Sequence, residues 1–323
     1  MLRTTLRSGM VLLLIRGGLV AFADGWPEGP DGHPATEPVL RNHADVLHER
    51  ISRNVDSFSQ WLDSFFGNPV VEEETYGNRV RVTTAMEIVE GEGTTLRLRV
   101  NAKLALPRMN ERVQLLLSTF EDDDGQGGEP LPQEMVGEEN NRQAGLRFVL
   151  REERRLRLHT DVGLKFRPAP DPYVRLRLRY LLMQEPVVVR LTESLFWFRE
   201  DGVGETTRLD VEKSLRTNTF MRGTLAATWS ETSQGMDLSP GVSVWRALSR
   251  RRAVGAELNV DAYTQPDWAV DRYRVTMRYR QRIWRNWLYA QIAPLVQFPE
   301  DRDYKVSPGI ILQLETIFGD EPP

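Results

Sequence analysis

From about Asn78 to Phe318 the chain alternates apolar and polar side chains with a period of two. In 96–104, Leu96, Leu98, Val100, Ala102 and Leu104 alternate with Arg97, Arg99, Asn101 and Lys103. Leu156, Leu158, Val162, Leu164 and Phe166 share one phase, and Arg157, His159, Asp161, Gly163 and Lys165 share the other. Val174, Leu176, Leu178 and Tyr180 alternate with Arg175, Arg177 and Arg179. Tyr273, Val275, Met277 and Tyr279 alternate in the same way with Arg274, Thr276, Arg278 and Arg280. Successive side chains of a strand point to opposite faces, so each segment has one apolar and one polar wall. The pattern predicts about fourteen strands, near 78–88, 94–106, 112–121, 143–151, 155–167, 172–183, 187–200, 205–216, 219–231, 236–249, 253–265, 269–283, 286–298 and 304–318, with twelve as the alternative count. Ahead of them the period is helical. Leu40, Val46, Leu47, Ile51, Val55, Phe58, Leu62 and Phe65 form an apolar stripe with charged residues between, which predicts an amphipathic helix over 39–68, stopped by Gly67, Asn68 and Pro69.

A soluble sandwich also alternates, so the period alone does not select a membrane barrel. Strand length does more. Several runs are as long as the ~9–11 residues of a tilted membrane strand, beyond the ~5–6 of a usual soluble one. Transmembrane barrels join their strands by short turns at one end and longer loops at the other. Counting from the first strand, Pro107–Glu111, Glu152–Arg154, Gln184–Pro186, Thr217–Asn218, Arg250–Arg252 and Trp284–Arg285 fall at one end and are short. The longest connection, 122–142, falls at the other. The expected fold is all-β, an antiparallel transmembrane barrel over 78–318.

Composition narrows the class. Charged residues make up 27% of the chain, and no apolar run reaches the roughly 20 residues of a membrane-spanning helix, which excludes a helical membrane protein. At the N-terminus Arg3 and Arg7 precede an apolar stretch from Met10 to Val20, interrupted by Arg16, and Ala21-Phe22-Ala23 follows. This predicts an export signal over 1–23, then a Gly-, Pro- and acid-rich leader over 24–38. Removing the signal would take away three arginines and no acid, leaving 39 basic against 46 acidic side chains, net −7. Such a balance does not favour nucleic-acid binding. There is no cysteine, so disulfides cannot hold an exported fold together; a closed barrel holds itself with backbone hydrogen bonds.

In the last predicted strand Ile310, Leu312, Leu314 and Phe318 share a face, with Gln313 and Glu315 opposite. This resembles the C-terminal insertion signal of Gram-negative outer-membrane β-barrel proteins, apolar at alternate positions and ending in an aromatic. The family stops at the aromatic, whereas a tail, 319–323, follows here. The resemblance covers 78–318 as an architecture. It implies location in the outer membrane, contact with membrane lipid and lipopolysaccharide, and recognition by the barrel-insertion machinery.

The polar phase carries the candidate chemistry. Arg97, Arg99, Lys103, Arg157, Lys165, Arg175, Arg177, Arg179, Arg274, Arg278 and Arg280 are expected to line the lumen, with Asp161, Asp210, Glu212, Glu257 and Asp261 as its acids. Two readings stand: a basic pore wall that attracts anions, or facing charges that pair and fill the interior. His33, His43 and His48 have no metal-ligand spacing, and no metal, cofactor or catalytic residue is assigned. His159 shares the lumenal phase, and no G-x-S-x-G elbow accompanies it. The acidic stretch 121–140 reads as a solvated external loop or a divalent-cation patch facing lipopolysaccharide. The helix over 39–68 is a plug, an interfacial anchor or a surface for a periplasmic partner. The main expectation is a non-enzymatic passive pore for small, possibly anionic solutes, or an envelope structural protein. The alternatives are a lipid-modifying barrel enzyme and a soluble periplasmic binding protein.

Overall fold

The computed structural model describes residues 79–105, 112–120, 141–166, 170–233, 235–284 and 287–319. The expected signal, leader and helix, the acidic stretch 121–140 and residues 320–323 lie outside the described residues. The rest is a meander of fourteen strands: β1 (Arg79–Val89), β2 (Gly93–Ala105), β3 (Val113–Phe120), β4 (Asn141–Glu152), β5 (Leu156–Phe166), β6 (Pro170–Met183), β7 (Val188–Phe198), β8 (Gly202–Arg216), β9 (Thr219–Ser230), β10 (Met236–Ser249), β11 (Arg252–Tyr263), β12 (Ala269–Trp284), β13 (Leu288–Pro299) and β14 (Ser307–Gly319). Each strand pairs antiparallel with the next. β1 pairs with β14 from Arg79↔Gly319 to Val89↔Gly309, which closes the sheet into a barrel. Closure leaves no edge, so every strand's backbone groups meet a neighbour without water. The count is fourteen, not twelve.

Alternation sorts the side chains by face. Leu96, Leu98, Val162, Leu176, Val242, Leu258, Met277 and Leu312 are exposed on the outside, whereas Arg147, Asp161, Lys165, Arg175, Glu257 and Arg278 are buried. Among the described residues thirty polar or charged side chains are buried against fourteen apolar ones. This inverts a soluble core and is the arrangement of a barrel with apolar surroundings and a polar interior. Aromatic residues mark both ends of the outer wall. Trp287 stacks on Phe318 with centroids 6.4 Å apart and lies beside Trp284 at one end; Tyr273 and Tyr304 pair at 6.0 Å at the other.

The even strands β4, β6, β8, β10 and β12 each change register near their last residues, at Val149/Arg151, Leu181/Met183, Ser214/Arg216, Ala247/Ser249 and Arg282/Trp284. All five bulges sit at the end where β1 starts and β14 ends. A bulge adds local twist and lets a short turn reverse the chain at a barrel rim. The last strand starts at Ser307, not at residue 304: Asp303 and Tyr304 adopt left-handed φ of 53° and 54° after a 3-10 turn at Glu300–Arg302, which takes them out of the ladder.

Candidate functional site: the charged lumenal wall

The inward phase brings the charged side chains into three groups. On β4–β7, Arg147 donates from Nε to Asp161 Oδ1 at 2.7 Å and from Nη2 to Oδ2 at 2.8 Å, a bidentate pair. Arg175 stands in register with Asp161, Arg177 with His159, and Arg179 with Arg157. Arg175, Arg177 and Arg179 therefore form a ladder down one strand, roughly 7 Å between rungs given the strand rise. Arg177 donates to Ser194 Oγ at 3.1 Å, and Lys165 lies 5.4 Å from the centre of the Phe198 ring. Arg157 is nearer the rim, where it meets Glu152 at 3.3 Å.

On β7–β9 two carboxylates are each held by arginine. Glu212 accepts from Arg190 at 3.1 Å and Arg222 at 2.9 Å. Asp210 accepts from Arg208 at 2.9 Å and from Thr224 Oγ1 at 2.8 Å. The third group runs from β10 through β14 to β2. Glu315 accepts from Arg280 at 2.5 Å and Arg81 at 3.4 Å, so it ties β12 and β1 across the closing strands. Arg278 donates to Glu257 at 3.0 Å, Arg274 to Gln297 at 2.8 Å, Ser239 to Asp261 at 3.2 Å, and Arg97 to Glu87 at 2.5 Å. Arg99 is half-buried in the same phase as Arg97. A charge-assisted, bidentate pair fixes an arginine's direction as well as its charge, so these contacts aim the wall.

The lumenal residues named from the sequence all occupy the inward phase. Glu315 had been placed on the polar face of the last strand; the partners not singled out were Arg81, Arg147, Arg190, Arg208, Arg222 and Glu87. Parity carried the signal for each of them; Arg208 shares the phase of Asp210 and Glu212, two and four residues on. The carboxylates of β8 therefore do not form an acidic wall of their own, because Arg190, Arg208 and Arg222 stand among them. Buried cations outnumber buried carboxylates twelve to seven among the described residues.

Three aromatics, Tyr173, Trp245 and Tyr289, face inward and are 4%, 5% and 7% exposed. Tyr173 lies over Gly163, Phe196 over Gly204 and Trp245 over Gly255, each aromatic in register with its glycine on the next strand. The bare backbone leaves room for the ring to lie flat on the wall, which covers the glycine and pins the register. Tyr289 instead lies under Arg280, whose guanidinium is 4.7 Å from the ring centre. Of the residues expected to form an insertion signal, Leu312, Leu314 and Phe318 are exposed on the outer face of β14, with half-buried Ile310 in the same phase. Among the described residues no group of three or more His, Cys, Asp or Glu side chains could hold a metal ion.

No protein-family model and no curated protein matches the chain. Solved outer-membrane structures resemble it. In-vitro folded OmpT of Vibrio cholerae has 9% identity over 75% of this chain and 96% of its own, with a TM-score of 0.45. The outer membrane channel DcaP of Acinetobacter baumannii has 7% identity over 75% and 96%, with a TM-score of 0.44. A KdgM porin has 8% identity over 74% and 99%, with a TM-score of 0.35. At such identities the likeness extends to the barrel fold and no further.

Proposed function

We propose that this protein is a non-enzymatic outer-membrane barrel that passes small anionic solutes. The observation that carries this reading is the excess of cations in the inward phase, twelve against seven among the buried residues. A low-dielectric wall that encloses a net positive charge lowers the energy of an anion in the passage and raises that of a cation. The ladder of Arg175, Arg177 and Arg179 offers an anion successive stations at one strand's spacing, so it can step along the wall without being held at one site. On this reading the outer wall contacts membrane lipid and lipopolysaccharide. Ile310, Leu312, Leu314 and Phe318 are what the insertion machinery recognises.

The test is charge reversal at the ladder. Replacing Arg175, Arg177 and Arg179 by Glu changes the lumenal charge by six units without shortening the wall. In planar bilayers the anion-over-cation permeability ratio should fall several-fold and pass to cation preference. An unchanged ratio in the folded variant would remove the ladder from the passage.

One observation favours a second reading, a barrel that serves envelope structure. Glu315, Asp161, Asp210 and Glu212 are each spanned by arginine contacts between different strands or along one strand. A network of this kind braces a wall whether or not solute passes it. Absence of conductance from a correctly folded sample would select this reading.

A further inference from the structure

At the end where β1 starts and β14 ends, the lumenal network does not account for every cation. The segments 213–222, 244–256 and 277–291 carry the turns from β8 to β9, β10 to β11 and β12 to β13. They contain eleven Lys or Arg and no Asp or Glu. Arg222, Arg278 and Arg280 turn inward to Glu212, Glu257 and Glu315. Lys213, Arg216, Arg246, Arg250, Arg251 and Arg252 are exposed instead.

Strand phase sets three of these on the outer wall. Their neighbours Glu212, Trp245 and Ala253 are buried in the inward phase, so Lys213, Arg246 and Arg252 point away from the lumen. Arg216 and Arg246 are both register partners of Thr219, one from each side, which puts them about 10 Å apart at the spacing of adjacent strands. Arg250 and Arg251 form the turn beside them, and the Arg251 carbonyl accepts from the Arg282 backbone N–H at 2.9 Å, which ties that turn to β12. Arg252 stands opposite Gln281, three residues before the exposed Trp284. Trp284 and Trp287 belong to the aromatic belt of this end, and such a belt marks the level of the headgroups. A long cationic side chain near a strand end lays its stem on apolar wall and carries its charge to that level.

The patch is confined to one sector of one end. Farther round the same rim Arg151 meets Glu153 at 2.6 Å and Arg157 meets Glu152 at 3.3 Å, so the cations there have carboxylates of their own chain. At the opposite end of the basic sector the connections hold Glu200, Asp201, Glu231 and Asp267. A soluble anionic partner could reach the turn at Arg250 and Arg251. It could not reach Lys213, Arg246 and Arg252 on a wall that lipid covers. The anion available at their level is the headgroup phosphate, whose oxygens match the paired N–H groups of a guanidinium. Clustered Lys and Arg at a bilayer surface attract anionic lipid in this way.

We propose that the β8–β12 sector of this rim binds the headgroup phosphates of anionic glycerophospholipids in the leaflet it meets. The proposal rests on the reading of the chain as a membrane barrel, whose lipid it names, and is independent of what the lumen conducts.

Spin-labelled lipids provide the test. In the full-length protein folded into phosphatidylcholine vesicles, spin-labelled phosphatidylglycerol should be held at the protein surface several-fold over spin-labelled phosphatidylcholine. The preference should decline as salt is raised. Combining Lys213→Gln, Arg216→Gln, Arg246→Gln, Arg250→Gln, Arg251→Gln and Arg252→Gln alters exposed side chains alone, so the barrel should keep its heat-dependent gel shift while the preference is lost. Arg151→Gln with Glu153→Gln removes a neutral pair from the same rim and should leave it unchanged. Equal retention of the two lipids by the folded wild type, a preference that ignores salt, one that survives the six substitutions, or one that the control pair also abolishes would each overturn the proposal. Failure of the wild type to enter vesicles at all would instead overturn the membrane reading beneath it.

Discussion

Glu315 is the side chain on which the closing strands of the barrel most depend. It is 2% exposed and accepts from Arg280 on β12 and Arg81 on β1, so one carboxylate neutralises two buried cations on opposite sides of its own strand. Removing one partner from such a group leaves uncompensated charge, which costs more than the intact contact contributes. Glu315→Gln is expected to lower stability by about 3 kcal/mol, read as an earlier urea midpoint of the detergent-folded protein. An unchanged midpoint would mean that water or an anion replaces the carboxylate. Gly255 is the second such position. A Cβ built there would lie 2.1 Å from the Trp245 ring, so Gly255→Ala must displace an indole that lies flat on the wall. The expected loss is about 1–3 kcal/mol, relieved in Gly255→Ala with Trp245→Leu, where the clash is gone; thermal melts of both variants check this.

At the scale of the strand, legibility depended on parity. Alternation gave the fourteen strands and their inward phases, because a period of two survives single interruptions such as Thr160 among the outward leucines of β5. It did not give β14 its start, since Tyr304 and Val306 continue the apolar phase through a segment whose backbone turns left-handed. Arg147, Arg208 and Arg222 were readable from their phase, but Gly, Ala and Thr around them weaken the local contrast. The arginine pairings were not readable, because Arg280 and Glu315 meet across an intervening strand 35 residues apart in sequence. Tyr173, Trp245 and Tyr289 show the same limit. An aromatic near a strand end suits a girdle or a lumen equally, and its parity decides between them. That Tyr173 lies over Gly163 depends on the register of two strands, which composition does not carry.

At the scale of the molecule, the buried set differs in sign of charge from the chain as a whole. The whole chain carries a net −4, yet the buried side chains of the barrel carry five more cations than carboxylates. The acid-rich stretch 121–140, with Asp122, Asp123, Asp124, Glu129, Glu134, Glu138 and Glu139, lies outside the described residues. A field of one sign inside a low-dielectric wall acts over the length of the passage and is weakened by salt. Anion preference should therefore be largest at low ionic strength and decline as salt rises; a preference insensitive to salt would point to a single local filter instead of the whole wall.

On the proposed function the cationic inner wall is a passage for anions. It is tested most directly by the reversal potential of the folded wild-type protein in a planar bilayer under a potassium chloride gradient. Discrete conducting steps are expected, with a reversal potential on the chloride side of zero. Cation-selective steps, or no conductance from protein that shows the heat-dependent gel shift of a folded barrel, would contradict it.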